Sequence, residues 1–223
     1  MSGEEWAAVD AYITNLLVHQ DEALEAAVEE SRAAGLPAIN VTPTQGKMLH
    51  ILARMHGARD ILEIGTLAGY STIWLGRALP AGGRLITLEL DPKHIRIARS
   101  NIARAGLDAV VEVKQGRALD TLAQLVAAGR KPFDLIFIDA DKGSLPDYFA
   151  WALKLSHPGT LIIVDNVVRD GMVLDASSTD PDIQGVRSFN EAVAAEPRVT
   201  ATEIQTVGTK GYDGFALVLV LAD

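Results

Sequence analysis

The chain has 223 residues, 48% hydrophobic and 22% charged; this suits one globular domain and excludes a disordered chain, which could not bury enough apolar surface to offset its ordering entropy. Acidic residues outnumber basic ones 29 to 20, for a net charge of −9, and no basic run exceeds Arg130-Lys131, which disfavours nucleic acid as a partner and favours small-molecule work. There is no cysteine, which excludes disulfides, thiolate metal sites and Cys nucleophiles and fits the cytoplasm; the longest apolar run, 215–222, suits a buried strand and not a membrane span, and nothing in the opening residues predicts export.

Trp6, Val9, Ile13, Leu16 and Leu17 recur at helical spacing and predict a helix over 4–19. An Ala- and Glu-rich stretch predicts a second over 21–34, ended by Gly35. Thr42-Pro43-Thr44-Gln45 reads as a capping box with proline at the first helical position, so a third helix runs to about residue 56. Strand and helix signals then alternate. Strands are predicted at 60–64, 84–89, 110–114, 133–139, 160–165, 199–205 and 215–221. Helices at 71–78, 92–105, 118–128 and 146–155 separate the first five strands, and one at 182–195 precedes the sixth. A helix after each strand implies a parallel sheet covered on both faces. Only 206–214 joins the last two strands, too short for a crossover, so they should form an antiparallel hairpin. No repeat or linker divides the chain, and 1–223 is expected to be a single domain.

Ligands of such sheets bind beyond the carboxyl ends of the strands. The first strand ends in Glu63-Ile64-Gly65-Thr66-Leu67-Ala68-Gly69. The glycines permit a tight turn and close backbone approach, but the middle glycine of a dinucleotide fingerprint is missing. Glu63 would repel a phosphate and suits a cationic or donor-rich ligand. Glu89, at the end of the second strand, is placed to accept hydrogen bonds from ribose hydroxyls, whereas a helix N-cap explains Asp91. The fourth strand closes in Asp139-Ala140-Asp141-Lys142 and the fifth in Asp165-Asn166. If the two pair, Asp139, Asp165 and Asn166 bring three oxygen ligands to one edge. Without His or Cys, the implied ion is hard: Mg²⁺ first, with Mn²⁺ or Ca²⁺ as alternatives. The five histidines show no ligand or triad spacing and read as helix-face or turn residues. Tyr148, Tyr212 and Phe215 are the candidate pocket aromatics.

These residues resemble the cation-dependent, S-adenosylmethionine-using O-methyltransferases, the caffeoyl-CoA and catechol O-methyltransferase group, and most of all its bacterial branch. The resemblance spans residue 41 to the C-terminus. It rests on Val-Thr-Pro-Thr-Gln-Gly at 41–46, Leu-Glu-Ile-Gly-Thr-x-x-Gly-Tyr-Ser at 62–71, Phe-Ile-Asp-Ala-Asp-Lys at 137–142 and Val-Asp-Asn-Val at 164–167. It implies a Rossmann-like α/β methyltransferase fold. The sheet would have seven strands, parallel except for the last, with helices on both faces and a helical cap over 1–40 on a core of 41–223. By position it implies cofactor contacts at Val41, Glu63, Gly65, Thr66, Ser71, Glu89, Ala118, Asp139 and Asp141. It implies metal ligation by Asp139, Asp165 and Asn166, a catalytic base at Lys142 and a substrate contact at Asp170. A homodimer is implied as well.

The chemistry is coherent. A sulfonium methyl donor needs only an aligned oxyanion nucleophile, and a phenol is mostly protonated at neutral pH. A divalent cation favours the oxyanion, and a vicinal diol offers it two oxygens; a catechol-type acceptor is therefore expected. The alternative acceptor is a hydroxylated uridine in tRNA, which the missing basic runs disfavour. Lys142-Gly143-Ser144-Leu145 lacks an aromatic that relatives often carry there, and the stretch 208–214 reads as a longer final hairpin turn than is common in the group.

Overall fold

Residues 2–222 are described in a computed structural model. Three helices come first: α1 (Gly3–Leu17), α2 (Glu22–Ala33) and α3 (Pro43–His56). The alternation continues as β1 (Asp60–Ile64), α4 (Tyr70–Gly76), β2 (Arg84–Glu89), α5 (Pro92–Arg104), β3 (Val111–Gln115), α6 (Ala118–Ala127), β4 (Leu135–Ile138), α7 (Leu145–Lys154) and β5 (Leu161–Asp165). The chain ends with α8 (Pro181–Ala195), β6 (Val199–Gly208) and β7 (Gly211–Val220). Short 3₁₀ segments, Lys142–Ser144 and Arg169–Leu174, come after β4 and β5.

Local chemistry opens the helices. Thr42 Oγ1 accepts the Gln45 N–H at 3.2 Å, and Asp91 caps α5 by accepting from Lys93 at 2.6 Å. Asp180, followed by Pro181, does the same for α8, accepting from Asp182 at 2.8 Å. The expected capping box at 42–45 is only half formed: the Gln45 side chain reaches Asp165 instead of turning back on Thr42.

The strands form one seven-stranded sheet in the order β3-β2-β1-β4-β5-β7-β6. Parallel pairs hold β3 to β5 together, and β7 runs antiparallel to both β5 and β6. This is the Rossmann-like methyltransferase arrangement that the resemblance implies. Alternation along the strands feeds two cores. Ile61, Leu85, Phe137 and Ile163 pack against residues of α2 to α5, including Leu24, Leu49, Ile73 and Ile95. Leu62, Ile64, Ile136 and Val164 pack against α6 to α8 through Leu122, Phe149 and Phe189.

The final hairpin corrects the sequence expectation. Its strands extend to Gly208 and back from Gly211, leaving Thr209-Lys210 as the whole turn. Glycines read as turn residues in the sequence, yet Gly214, Gly211 and Gly208 all lie in the ladder. Gly214 is there because the Ile204 carbonyl oxygen would lie 2.6 Å from a Cβ at that position.

Candidate active site

The carboxyl ends of β1, β2 and β4 open into a cavity of about 560 Å³, a size ordinary for small-molecule sites. Of the residues singled out in the sequence, Val41, Gly65, Thr66, Ser71, Glu89, Ala118, Asp139, Asp141, Lys142, Tyr148 and Asn166 line it. Glu63, Asp165 and Asp170 do not.

The turn after β1 needs backbone conformations that L-residues avoid. Gly65 has φ 104°, Leu67 φ 50° and Gly69 φ 84°. Glu89 stabilises this turn: its Oε2 accepts the Leu67 N–H at 2.9 Å, while Oε1 accepts from Leu90 at 2.8 Å and Asp91 at 3.0 Å. Glu89 therefore has a local structural role that the sequence did not reveal. Glu89 also lines the cavity. His94, expected to be a plain helix-face residue, also lines the cavity, with Nδ1 at 3.4 Å from Glu89 Oε1.

Glu63 is placed otherwise than expected. Strand alternation sends its side chain to the Ile61 face, under α4, where it is fully buried. Its carboxylate meets the hydroxyls of Ser71 at 2.6 Å, Thr72 at 2.5 Å and Thr87 at 2.7 Å. Burial pushes its pKa up to about 7 against those donors, with the charge of Asp139 adding to the rise. It lies outside the cavity lining, bonded to α4 and β2 beneath the turn.

At the other end of the cavity, β4 and β5 pair in parallel with Ile138 opposite Val164, so the residues just beyond them are neighbours. Lys142, nearly buried, donates from Nζ to Asp139 Oδ1 at 3.0 Å. Its backbone is held by α8, because a Cβ on Gly185 would collide with the Lys142 carbonyl. Asp165 is 5% exposed. Burial, and then the Asp139 charge, push its pKa up to about 7, while Lys142, the Asn166 N–H and Gln45 pull the other way. Asn166 has a left-handed backbone, φ 59°, and its side-chain amide makes no hydrogen bond among the described residues. No group of three or more His, Cys, Asp or Glu side chains forms a metal set among the described residues; the donors here are two acids and an amide. Their oxygens are all hard, one amide is unengaged, and two close carboxylates repel. This set fits a hard divalent cation.

The lining also draws on segments that carry no motif. Tyr148 on α7 donates to Asp141 Oδ1 at 2.5 Å. Burial raises the Asp141 pKa, but hydrogen bonds from Ser144 and Tyr148 outweigh it and hold the carboxyl below its ordinary value. Arg117 lies beside Ala118, and Arg169 pairs with Asp182 at 3.5 Å across the cavity wall. Asp170, the expected substrate contact, lies in the loop after β5 with φ 55°, its carboxylate near Gly211. Tyr212 and Phe215 also lie outside the lining.

The O-methyltransferase family profile matches residues 15–220. A catechol O-methyltransferase from Niastella koreensis is 56% identical over 220 residues, covering 99% of this chain and 100% of that protein. One from Mycobacterium tuberculosis is 50% identical over 212 residues, covering 95% and 94%. Among solved structures, an O-methyltransferase from Bacillus cereus in complex with SAH superposes with a TM-score of 0.97 at 58% identity, covering 98% of this chain and 100% of that one. An O-methyltransferase of tomaymycin synthesis from Streptomyces achromogenes, in complex with SAM, gives 0.97 at 53%, with both chains fully covered (100%).

Proposed function

This chain belongs to the O-methyltransferase family and is an S-adenosylmethionine-dependent O-methyltransferase; from that premise we propose that it methylates one hydroxyl of a catechol-type small molecule with the help of a divalent cation. The observation that carries the reading is the meeting of Asp139, Asn166 and Lys142 on one wall of the cavity whose other end holds Glu89 and the glycine turn. Two relatives with half or more of their residues identical are catechol O-methyltransferases, and they support the same acceptor class here. No observation favours the tRNA alternative.

In this reading the donor lies along the turn. Glu89 accepts the ribose hydroxyls, and Val41, Gly65, Thr66, Ser71, Ala118 and Asp141 shape the rest of its bed. Asp139, Asp165 and Asn166 would hold Mg²⁺ or a similar ion, which would supply positive charge to favour the ionised acceptor hydroxyl. Lys142 supplies a positive charge beside that oxygen or, once it has given up a proton of its own, takes the proton of the acceptor hydroxyl. The methyl group leaves the sulfonium for the acceptor oxygen, giving a methyl ether and S-adenosylhomocysteine. Asp170 borders the acceptor side. Glu63 acts through the turn.

The remaining features of the reading are a single domain, with 1–40 capping 41–223, working in the cytoplasm as a homodimer. Exposed Val9, Tyr12, Leu16 and Leu17 on α1, next to Ile204 and Val207 on β6, support a second copy as the partner. No helix among the described residues is long and apolar enough to cross a membrane.

The test is a methyl-transfer assay with simple catechols, caffeic acid and their monohydroxy analogues, with and without EDTA. Turnover should be confined to the vicinal diols, abolished by chelator and restored by Mg²⁺ or Mn²⁺. Full activity in EDTA, or rapid methylation of lone phenols, would overturn the reading.

A further inference from the structure

The turn of the final hairpin, Thr209-Lys210, is fastened from two sides. Asp10 of α1 accepts the Thr209 N–H at 2.8 Å and its hydroxyl at 3.1 Å. Gly208 admits that carboxylate because a Cβ there would collide with it. Behind the tip, Asp213 Oδ1 accepts the N–H groups of Val168 at 3.0 Å, Arg169 at 3.0 Å and Gly214 at 2.9 Å. The Lys210 side chain is thereby carried back to the segment between α2 and α3, where Nζ donates to the Asn40 carbonyl oxygen. Asn40 lines the cavity beside Val41.

Three features make this lysine more than a strap. Its ammonium lies within electrostatic reach of Asp139 and Asp165, at the acceptor end and not the donor end. Neighbouring protein pushes its pKa down, while those two carboxylates hold it up. Yet it forms no ion pair with any described residue: Asp139 is paired with Lys142, and Asp170 near Gly211 makes no bridge to it. An exposed ammonium with one neutral protein acceptor keeps two N–H donors and its full charge available to a bound molecule. Bonded to Asn40, which lines the cavity, such a group is placed to recognise an anion on the bound molecule.

We propose that Lys210 is a specificity-determining residue of the acceptor site, binding a carboxylate that the acceptor carries on the side remote from its reacting hydroxyls, so that dihydroxy aromatic acids are preferred to their neutral counterparts. This deepens the catechol-type reading and rests on it. The Thr209–Asp10 and Asp213 contacts hold the ammonium in place before the acceptor arrives, which limits the ordering cost of binding.

The experiment compares 3,4-dihydroxybenzoate with its methyl ester in the wild type, Lys210→Met and Lys210→Arg. The quantity read is the acid-to-ester ratio of kcat/KM. The wild type should prefer the acid. Lys210→Met should lower the ratio roughly tenfold or more, mainly through the KM of the acid, as loss of a hydrogen-bonded charge pair implies. Lys210→Arg should keep most of the preference. A wild type indifferent to the carboxylate, a ratio unchanged in Lys210→Met, or an equal fall for both acceptors would overturn the assignment; the last would mark Lys210 as a structural strap. Calorimetry of 3,4-dihydroxybenzoate binding to protein saturated with S-adenosylhomocysteine and Mg²⁺ reads the same contact without turnover. If the wild type methylates neither compound, the catechol-type reading fails. Lys210 is then judged by calorimetry alone: weakening of roughly tenfold in Lys210→Met sustains it, and unchanged binding overturns it.

Discussion

Gly65 runs so close to Asp139 that a Cβ on the glycine would collide with the Asp139 carbonyl oxygen and stand 2.8 Å from its carbon. The contact joins the turn after β1, where the donor is read to lie, to the strand end that carries the acidic wall. The Asp139 N–H, bonded to the Ile64 carbonyl at 2.9 Å, closes the same seam. The two halves of the cavity are thus held in register by backbone, which gives little under strain. Such fixed spacing between two reactants is where much of the rate of a displacement reaction originates.

Gly65→Ala should therefore lower both stability and S-adenosylhomocysteine affinity. The reference variant is Gly57→Ala, a left-handed site with φ 72° and open space around it, where the backbone strain alone should cost about 1–2 kcal/mol. Denaturant unfolding should show the larger loss for Gly65→Ala. Calorimetry should show weakened binding in that variant only. Equal losses in the two would mean that the Asp139 contact is unimportant.

Glu63 makes stability depend on pH. Its pKa rises from an ordinary 4.5 to about 7 in the folded chain, so between those values the folded state binds more protons than the unfolded one. Stability from this group is complete below pH 4.5 and is lost as pH climbs through 7. Relative to Glu63→Gln, the wild type should lose roughly 2 kcal/mol between pH 5.5 and 8.5. Parallel pH profiles for the two proteins in denaturant unfolding would refute this.

Glu89→Gln removes a charge that both steadies the turn and faces the cavity. Each hydrogen bond to a charged acceptor contributes about 1.5–3 kcal/mol, so S-adenosylhomocysteine binding should weaken by about ten- to a hundredfold. Amide exchange at Leu67, whose N–H is held by Glu89, should accelerate. Weaker binding with unchanged exchange would separate the ligand role from the structural one.

Lys142→Ala should reduce kcat by roughly 10²–10⁴-fold, the usual contribution of a positioned proton-transfer group, with little change in S-adenosylhomocysteine affinity. Lys142→Arg distinguishes the two roles. Arginine keeps the charge near Asp139 but cannot lose its proton. Recovery of most of the activity would assign the lysine to charge stabilisation. Equal impairment, with a structure showing the guanidinium in place, would assign it to proton transfer. Full activity in both variants would remove Lys142 from the mechanism.

Much of this protein is local chemistry and therefore legible in order. The strand–helix alternation, the proline-capped starts of α3 and α5, and the acids closing β4 and β5 all come from residue spacing along the chain. Glycine was the main source of error. Three of them hid the length of the final hairpin, because a glycine required by close packing looks the same in sequence as one required by a turn.

Residue order alone was enough for the sheet class and for acidic residues at its carboxyl edge, because hydrophobic periodicity and capping act over a few residues. The part each acid plays had to wait for the packed molecule. Glu63 lies opposite Thr87 in the register, two residues short of Glu89. One is therefore sealed under α4, while the other stands at the sheet edge and faces the cavity. Packing also brought in His94, Arg169 and Lys210, which share no local pattern. They meet because strand order and helix packing fold distant segments onto one edge, and that proximity exists only in three dimensions.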